Sequence, residues 1–149
     1  TMVLSGMTSP EMVDENARIA TATLPGALSA AQHEAVARVL QVFERSNRVP
    51  CTGCNYCMPC PRGINIPGCF AAYNASFAHS WFTGVSQYFT ASAVRTGSPK
   101  LASNCVRCGA CLSNCPQHIE IPDRLLDVQR RLTPGLLGTA LKLIARRKG

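Results

Sequence analysis

Eight of the nine cysteines in this chain fall into two runs of four, and no other feature narrows its possible folds as much. The first run reads Cys51-Thr-Gly-Cys54-Asn-Tyr-Cys57-Met-Pro-Cys60-Pro61 and the second Cys105-Val-Arg-Cys108-Gly-Ala-Cys111-Leu-Ser-Asn-Cys115-Pro116. Each continues with two variable residues and then Ile-x-Ile-Pro, at Ile64 to Pro67 and at Ile119 to Pro122. The repeat unit is a cysteine loop that feeds a helix opened by proline, whose missing N–H does no harm in a first turn. An odd total and gaps of two or three residues argue for a metal site and against a set of paired disulfides.

The second run, C-x₂-C-x₂-C-x₃-C-P, has the spacing in which three close thiolates wrap one [4Fe–4S] cubane while the fourth reaches a second cluster. Two residues between ligands let successive thiolates turn onto neighbouring iron corners while backbone N–H groups face the sulfurs. Small residues such as Gly53 and Gly109 permit that approach. On this spacing Cys51, Cys54 and Cys57 with Cys115 hold cluster one, and Cys105, Cys108 and Cys111 with Cys60 hold cluster two. The first run has only two residues between its third and fourth cysteines, so local ligation by each run's own four cysteines stays open as the alternative. A pair of Cys₄ zinc sites is the competing chemistry, although zinc ribbons use two cysteines per knuckle. Cys69 belongs to neither run and reads as a buried spare thiol. His33, His79 and His118 lie outside any ligand spacing; His118, beside a cysteine loop, has a hydrogen bond to sulfur as its one functional alternative.

The formal charge of +7 would ordinarily point to an acidic partner. Two thiolate-bound clusters contribute about −4 together and leave about +3, which removes most of the support for nucleic-acid binding. No stretch approaches the roughly 20 apolar residues a membrane span requires, and no charged segment precedes an apolar one at the start, so the sequence reads as cytoplasmic.

The order of elements is mainly helical. Thr1 to Leu4 reads as a short strand, and Ser9-Pro10 caps and opens a helix reaching about Thr21. A strand and one helix cannot bury their own apolar faces, so residue 1 is expected to lie inside a longer protein. Ser29 and Gln32 form a capping box for a second helix reaching about Ser46, and its apolar stripe of Val36, Val39, Leu40 and Phe43 is expected to pack on a neighbour. Between the cysteine runs, Phe70, Tyr73, Phe77 and Trp81 recur at helical spacing, followed by Val85, Tyr88 and Phe89, and core packing accounts for all of them. Thr96 to Pro99 ends that run, and Pro122 opens a helix carrying Leu125, Val128 and Leu132. A last helix, Leu136 to Lys148, places Leu137, Leu141 and Ile144 on one face and cations near its C-terminus, where they complement the helix dipole. The chain thus divides into a strand and helix at 1–26, a connecting helix at 27–50, a cluster domain at 51–132 and a basic helix at 133–149.

The sequence resembles the aldo/keto reductases that carry a C-terminal iron–sulfur domain. The likeness rests on Val3-Leu4-Ser5-Gly6-Met7 with Glu15-Asn16, on Pro50 to Cys54 and Met58 to Pro61, on Tyr73-Asn74, and on Cys115-Pro116-Gln117-His118-Ile119, and it reaches to about residue 128. It implies that residues 1–26 are the last strand–helix unit of a TIM barrel that binds the adenosine end of NADP, with Glu15 and Asn16 at the positions that contact adenine. It also implies that the family's catalytic Asp, Tyr, Lys and His, which come from earlier barrel strands, are absent here. The spacing of the two cysteine runs further resembles the α-helical ferredoxin arrangement, in which helices join paired cluster loops.

Electron transfer between two clusters is therefore the first expectation. Nicotinamide gives up a hydride, and nothing in the chain marks a flavin site to split the electron pair, so coupling to NADP would need a redox partner such as a flavoprotein. Structural or oxygen-sensing clusters are the second reading, and a zinc-stapled interaction module the third.

Overall fold

A computed structural model describes residues 5–96, 98–133 and 135. The expected strand Thr1 to Leu4 and the expected helix Leu136 to Lys148 lie outside them. The described residues form five helices and no strand: α1 (Pro10–Ala22), α2 (Ala30–Ser46), α3 (Ile66–Ala78), α4 (Trp81–Ala91) and α5 (Ile121–Leu132), with 3₁₀ turns at Val94–Thr96 and Ala102–Asn104. The chain divides into two compact units, Thr1–Leu40 and Gln41–Gly149.

Local signals set the helix starts. The Ser9 side chain accepts from the Met12 N–H at 3.4 Å and Pro10 follows it, so α1 begins where the sequence predicts. The capping box of α2 forms reciprocally: the Gln32 N–H donates to Ser29 Oγ at 3.3 Å, and the Ser29 N–H donates to Gln32 Oε1 at 2.8 Å. The apolar stripe of α2, expected to pack on a neighbour, is exposed among the described residues. Val36, Val39, Leu40 and Phe43 are 50%, 65%, 56% and 63% exposed, and neither α1 nor α2 buries a residue. Periodicity of 3.6 identifies a helix face, and the face finds no cover among the described residues.

In the second unit, α3 and α4 form an antiparallel hairpin. The aromatic spacing suggests one continuous run from Phe70 to Trp81, but α3 ends at Ala78 and Ser80 caps α4 by accepting from the Thr83 N–H at 3.1 Å. Trp81 is thus the first residue of a new helix. The two helices cross closely because the contact positions are small. A Cβ added at Gly84 would meet Ser76 Cβ and sit 2.8 Å from the Ala72 carbonyl oxygen, and one added at Gly68 would lie 2.9 Å from Ala91 Cβ.

Helix α5 closes the core against this hairpin. Leu125, Val128 and Leu132 are buried with Phe70, Ala72, Tyr88 and the four isoleucines Ile64, Ile66, Ile119 and Ile121. Arg131 ties the far end: its Nε donates to Ser76 Oγ at 2.6 Å, its Nη2 donates to the Ser76 carbonyl at 2.9 Å, and its guanidinium stacks 3.8 Å from the Phe77 ring centroid. Trp81 Nε1 donates to the Arg131 carbonyl at 2.9 Å.

The hairpin also fixes the lead-in to both cysteine loops. Asn74 on α3 accepts from the Val49 N–H at 3.0 Å and donates to the Val49 carbonyl at 2.8 Å and to Asn47 Oδ1 at 2.6 Å, so the segment before Cys51 is held as a paired strand would hold it. Tyr88 on α4 accepts from the Ala102 N–H at 2.7 Å, which pins the turn before Cys105. Burial raises the Tyr88 pKa, keeping this hydroxyl neutral.

Candidate metal centre

The two cysteine loops repeat in conformation as well as in sequence. Three residues in each have left-handed backbone: Gly53 (φ 71°), Asn55 (φ 64°) and Gly63 (φ 69°) in the first, Arg107 (φ 54°), Gly109 (φ 78°) and His118 (φ 50°) in the second. They correspond one to one when the runs are superimposed on their cysteines, and every pair contains one glycine. The turns correspond as well. The Met58 N–H donates to the Asn55 carbonyl and the Leu112 N–H to the Gly109 carbonyl, both at 2.9 Å; the Gly63 N–H donates to the Cys60 carbonyl at 2.8 Å and the His118 N–H to the Cys115 carbonyl at 3.1 Å. The two loops therefore repeat one local conformation.

Gly53 and Gly109 both have positive φ, a backbone conformation that favours glycine, and a Cβ built on either meets no protein atom within 4 Å. Asn55, Arg107 and His118 adopt the same region at some steric cost, with Asn the best suited of the three. The loops differ where the sequences differ: the first closes through Met58-Pro59, with a cis peptide bond, and the second through the longer Leu112-Ser113-Asn114.

Two clefts lie against these loops. Cys51, Cys54, Cys57 and Cys115 line one, with Ile66, Phe70, Ile119 and Ile121 behind them. Cys60, Cys105, Cys108 and Cys111 line the other together with Cys57, which borders both clefts, and Ile66, Pro122 and Leu125 complete its wall. The second cleft encloses about 400 Å³ and the first about 320 Å³, part of each open to solvent. Ile66 borders both clefts, so the start of α3 forms the partition between them. The first cleft thus gathers three cysteines of the first run and the fourth of the second, and the second gathers three of the second run with Cys60 and Cys57 of the first. Cys69 is fully buried and lines neither; burial, with a smaller contribution from Cys60, pushes its thiol up to about 12.

All nine cysteines are free thiols, with Cys54 and Cys108, the second of each run, exposed. Burial raises the pKa of Cys57 and Cys111, the third of each run, and neighbouring thiols add to it against an opposing backbone hydrogen bond. A soft cation that favours thiolate would release those protons on binding. Among the described residues no carboxylate or imidazole lines either cleft. Among the described residues no group of three or more His, Cys, Asp or Glu side chains gathers as the ligands of a single metal ion would; the cysteines instead ring the two clefts. This all-sulfur, cleft-lining arrangement fits a polynuclear iron–sulfur group.

His33, His79 and His118 line neither cleft, and no hydrogen bond from His118 to a sulfur is present among the described residues. Glu15 and Asn16 lie on α1, where Glu15 pairs with Arg18 at 3.6 Å and Asn16 Nδ2 donates to Ser5 Oγ at 3.3 Å; neither borders the cysteine clefts. The sequence reading passed over the clasp of Asn74, the shared wall of Ile66 and the cation Arg62 on the second cleft.

A family model, that of the 4Fe-4S dicluster domain, matches residues 50–120. The match supports a ferredoxin-type, iron–sulfur-binding domain over that segment, and such a domain suggests electron transfer. No curated protein and no solved structure matches the chain. No helix among the described residues is long and apolar enough to cross a membrane.

Proposed function

We propose that residues 50–120 carry two [4Fe–4S] clusters in crossed ligation, Cys51, Cys54, Cys57 and Cys115 on one and Cys60, Cys105, Cys108 and Cys111 on the other, and that the pair relays single electrons. The observation that carries this reading is the crossing of the cysteines: Cys115 of the second run joins Cys51, Cys54 and Cys57 in one cleft, and Cys60 of the first run joins Cys105, Cys108 and Cys111 in the other, which Cys57 also borders. When bound, each cluster would supply a one-electron couple. The chain's own residues do the rest. Ile66, Phe70, Ile119 and Ile121 keep water from the inner side of the first cleft, and Pro122 and Leu125 from that of the second. Cys54 and Cys108 lie exposed on the outer side, where a redox partner protein can approach.

The resemblance to aldo/keto reductases supports placing this module beside an NADP-linked barrel, with a flavoprotein as the partner that splits hydride into single electrons. Glu15 and Asn16 would then contact adenine. In this structure Glu15 pairs with Arg18 and Asn16 donates to Ser5 Oγ.

Anaerobic redox titration of the loaded chain tests the relay. Two reversible one-electron equivalents per chain are expected. Clusters that cannot be reduced reversibly, but whose removal abolishes the helical circular dichroism of the domain, would leave a structural role in place of electron transfer.

A further inference from the structure

The shared conformation of the two loops makes their differences informative, because equivalent clefts would hold two equivalent clusters. The walls differ in charge. The first cleft is lined by the neutral Thr52, Asn55 and Gln117 besides its cysteines and apolar residues, and no charged side chain reaches it among the described residues. The second is lined by Arg62, which has no carboxylate partner among the described residues. Arg107, the other cation of this region, is paired with Asp123 at 2.6 Å, so its side-chain charge is largely offset. Its backbone contributes instead: the Arg107 N–H donates to Cys105 Sγ at 3.4 Å, and the equivalent Gly53 N–H makes no such bond to Cys51 among the described residues. Net charge and hydrogen bonds to sulfur are two of the factors that set cluster potentials, and both favour added negative charge in the second cleft.

Resting on the two-cluster reading above, we infer that Arg62 and the Arg107 N–H make the second cleft the first to accept an electron. The two clefts then form a directed pair, in which Arg62 is a positioning residue for charge. It holds the electron on the side of Cys60, Cys105, Cys108 and Cys111, and the first cleft fills only afterwards. In the titration each one-electron step takes its electron from dithionite, with no proton or ligand exchanged at the cysteines.

The test is an anaerobic dithionite titration of the loaded chain, followed by electron paramagnetic resonance, on the wild type, Arg62→Gln, Arg62→Lys and Thr52→Arg. Arg62 is exposed, so iron content should not change on its replacement. Arg62→Gln is expected to weaken electron uptake in the more positive wave about tenfold, a downward move of about 59 mV for a one-electron couple, with a smaller move in the other wave. Arg62→Lys restores the upper wave, and Thr52→Arg raises the lower wave and narrows the gap. If Arg62→Gln moves the lower wave more than the upper, moves both equally or moves neither while the wild type shows two reversible waves, the inference is wrong and the two-cluster reading stands. Absence of reversible waves in the wild type would instead overturn the relay itself.

Discussion

Replacing Cys54 and Cys115 together with alanine leaves about half of the iron in place, in one intact cluster, whereas replacing Cys108 and Cys115 together leaves no intact cluster. The difference follows from crossed ligation. Cys54 and Cys115 line the same cleft, so the double variant empties one site and spares the four thiols of the other. Cys108 and Cys115 line different clefts, so under crossed ligation each cluster loses one of its four ligands. Ligation of each cluster by its own run predicts the reverse, because Cys108 and Cys115 then belong together and Cys54 does not. Iron analysis and the visible absorbance of anaerobically purified variants read the outcome directly. Two sites that share no ligand respond independently and two members of one site do not, which is the logic of a double-mutant cycle.

Gly84→Ala is expected to have the largest effect of any change away from the cysteines. Its new methyl would meet Ser76 Cβ and stand 2.8 Å from the Ala72 carbonyl oxygen and 2.9 Å from Ser76 Cα, and backbone cannot swing aside as a long side chain does. Overpacking of this kind costs about 3 kcal/mol. For a domain of this size that lowers the melting temperature by more than about 10 °C. Cluster retention should fall with it, since α3 carries the Asn74 that clasps Val49 and α4 carries the Tyr88 that pins Ala102. Phe82→Ala on the same helix provides the contrast: the side chain is 77% exposed, and its loss should leave both melting and iron content almost unchanged. Thermal unfolding of the three loaded proteins by circular dichroism checks both expectations.

What the sequence disclosed depended on how local the cause was. Helix starts were legible because Ser9, the Ser29–Gln32 box, Pro67 and Pro122 act within one turn of themselves. The pairing of the loops was legible because the repeat is written in the cysteines and in Ile-x-Ile-Pro. The break before Trp81 was not, because Phe77 and Trp81 keep helical spacing across the Ser80 cap, and periodicity cannot distinguish one helix from two in register. Asn74 and Arg131 act on residues 25 and 55 positions away, beyond any window of pattern. The α2 stripe shows the opposite limit, since Val39 and Phe43 have helical periodicity and remain exposed. Aligning the two runs would have revealed one further feature, that each left-handed position carries glycine in one copy and not in the other.

Iron and acid-labile sulfide per chain after anaerobic purification test whether the eight thiols hold two cubanes. About eight of each is expected. Colourless protein containing zinc and no labile sulfide would contradict it.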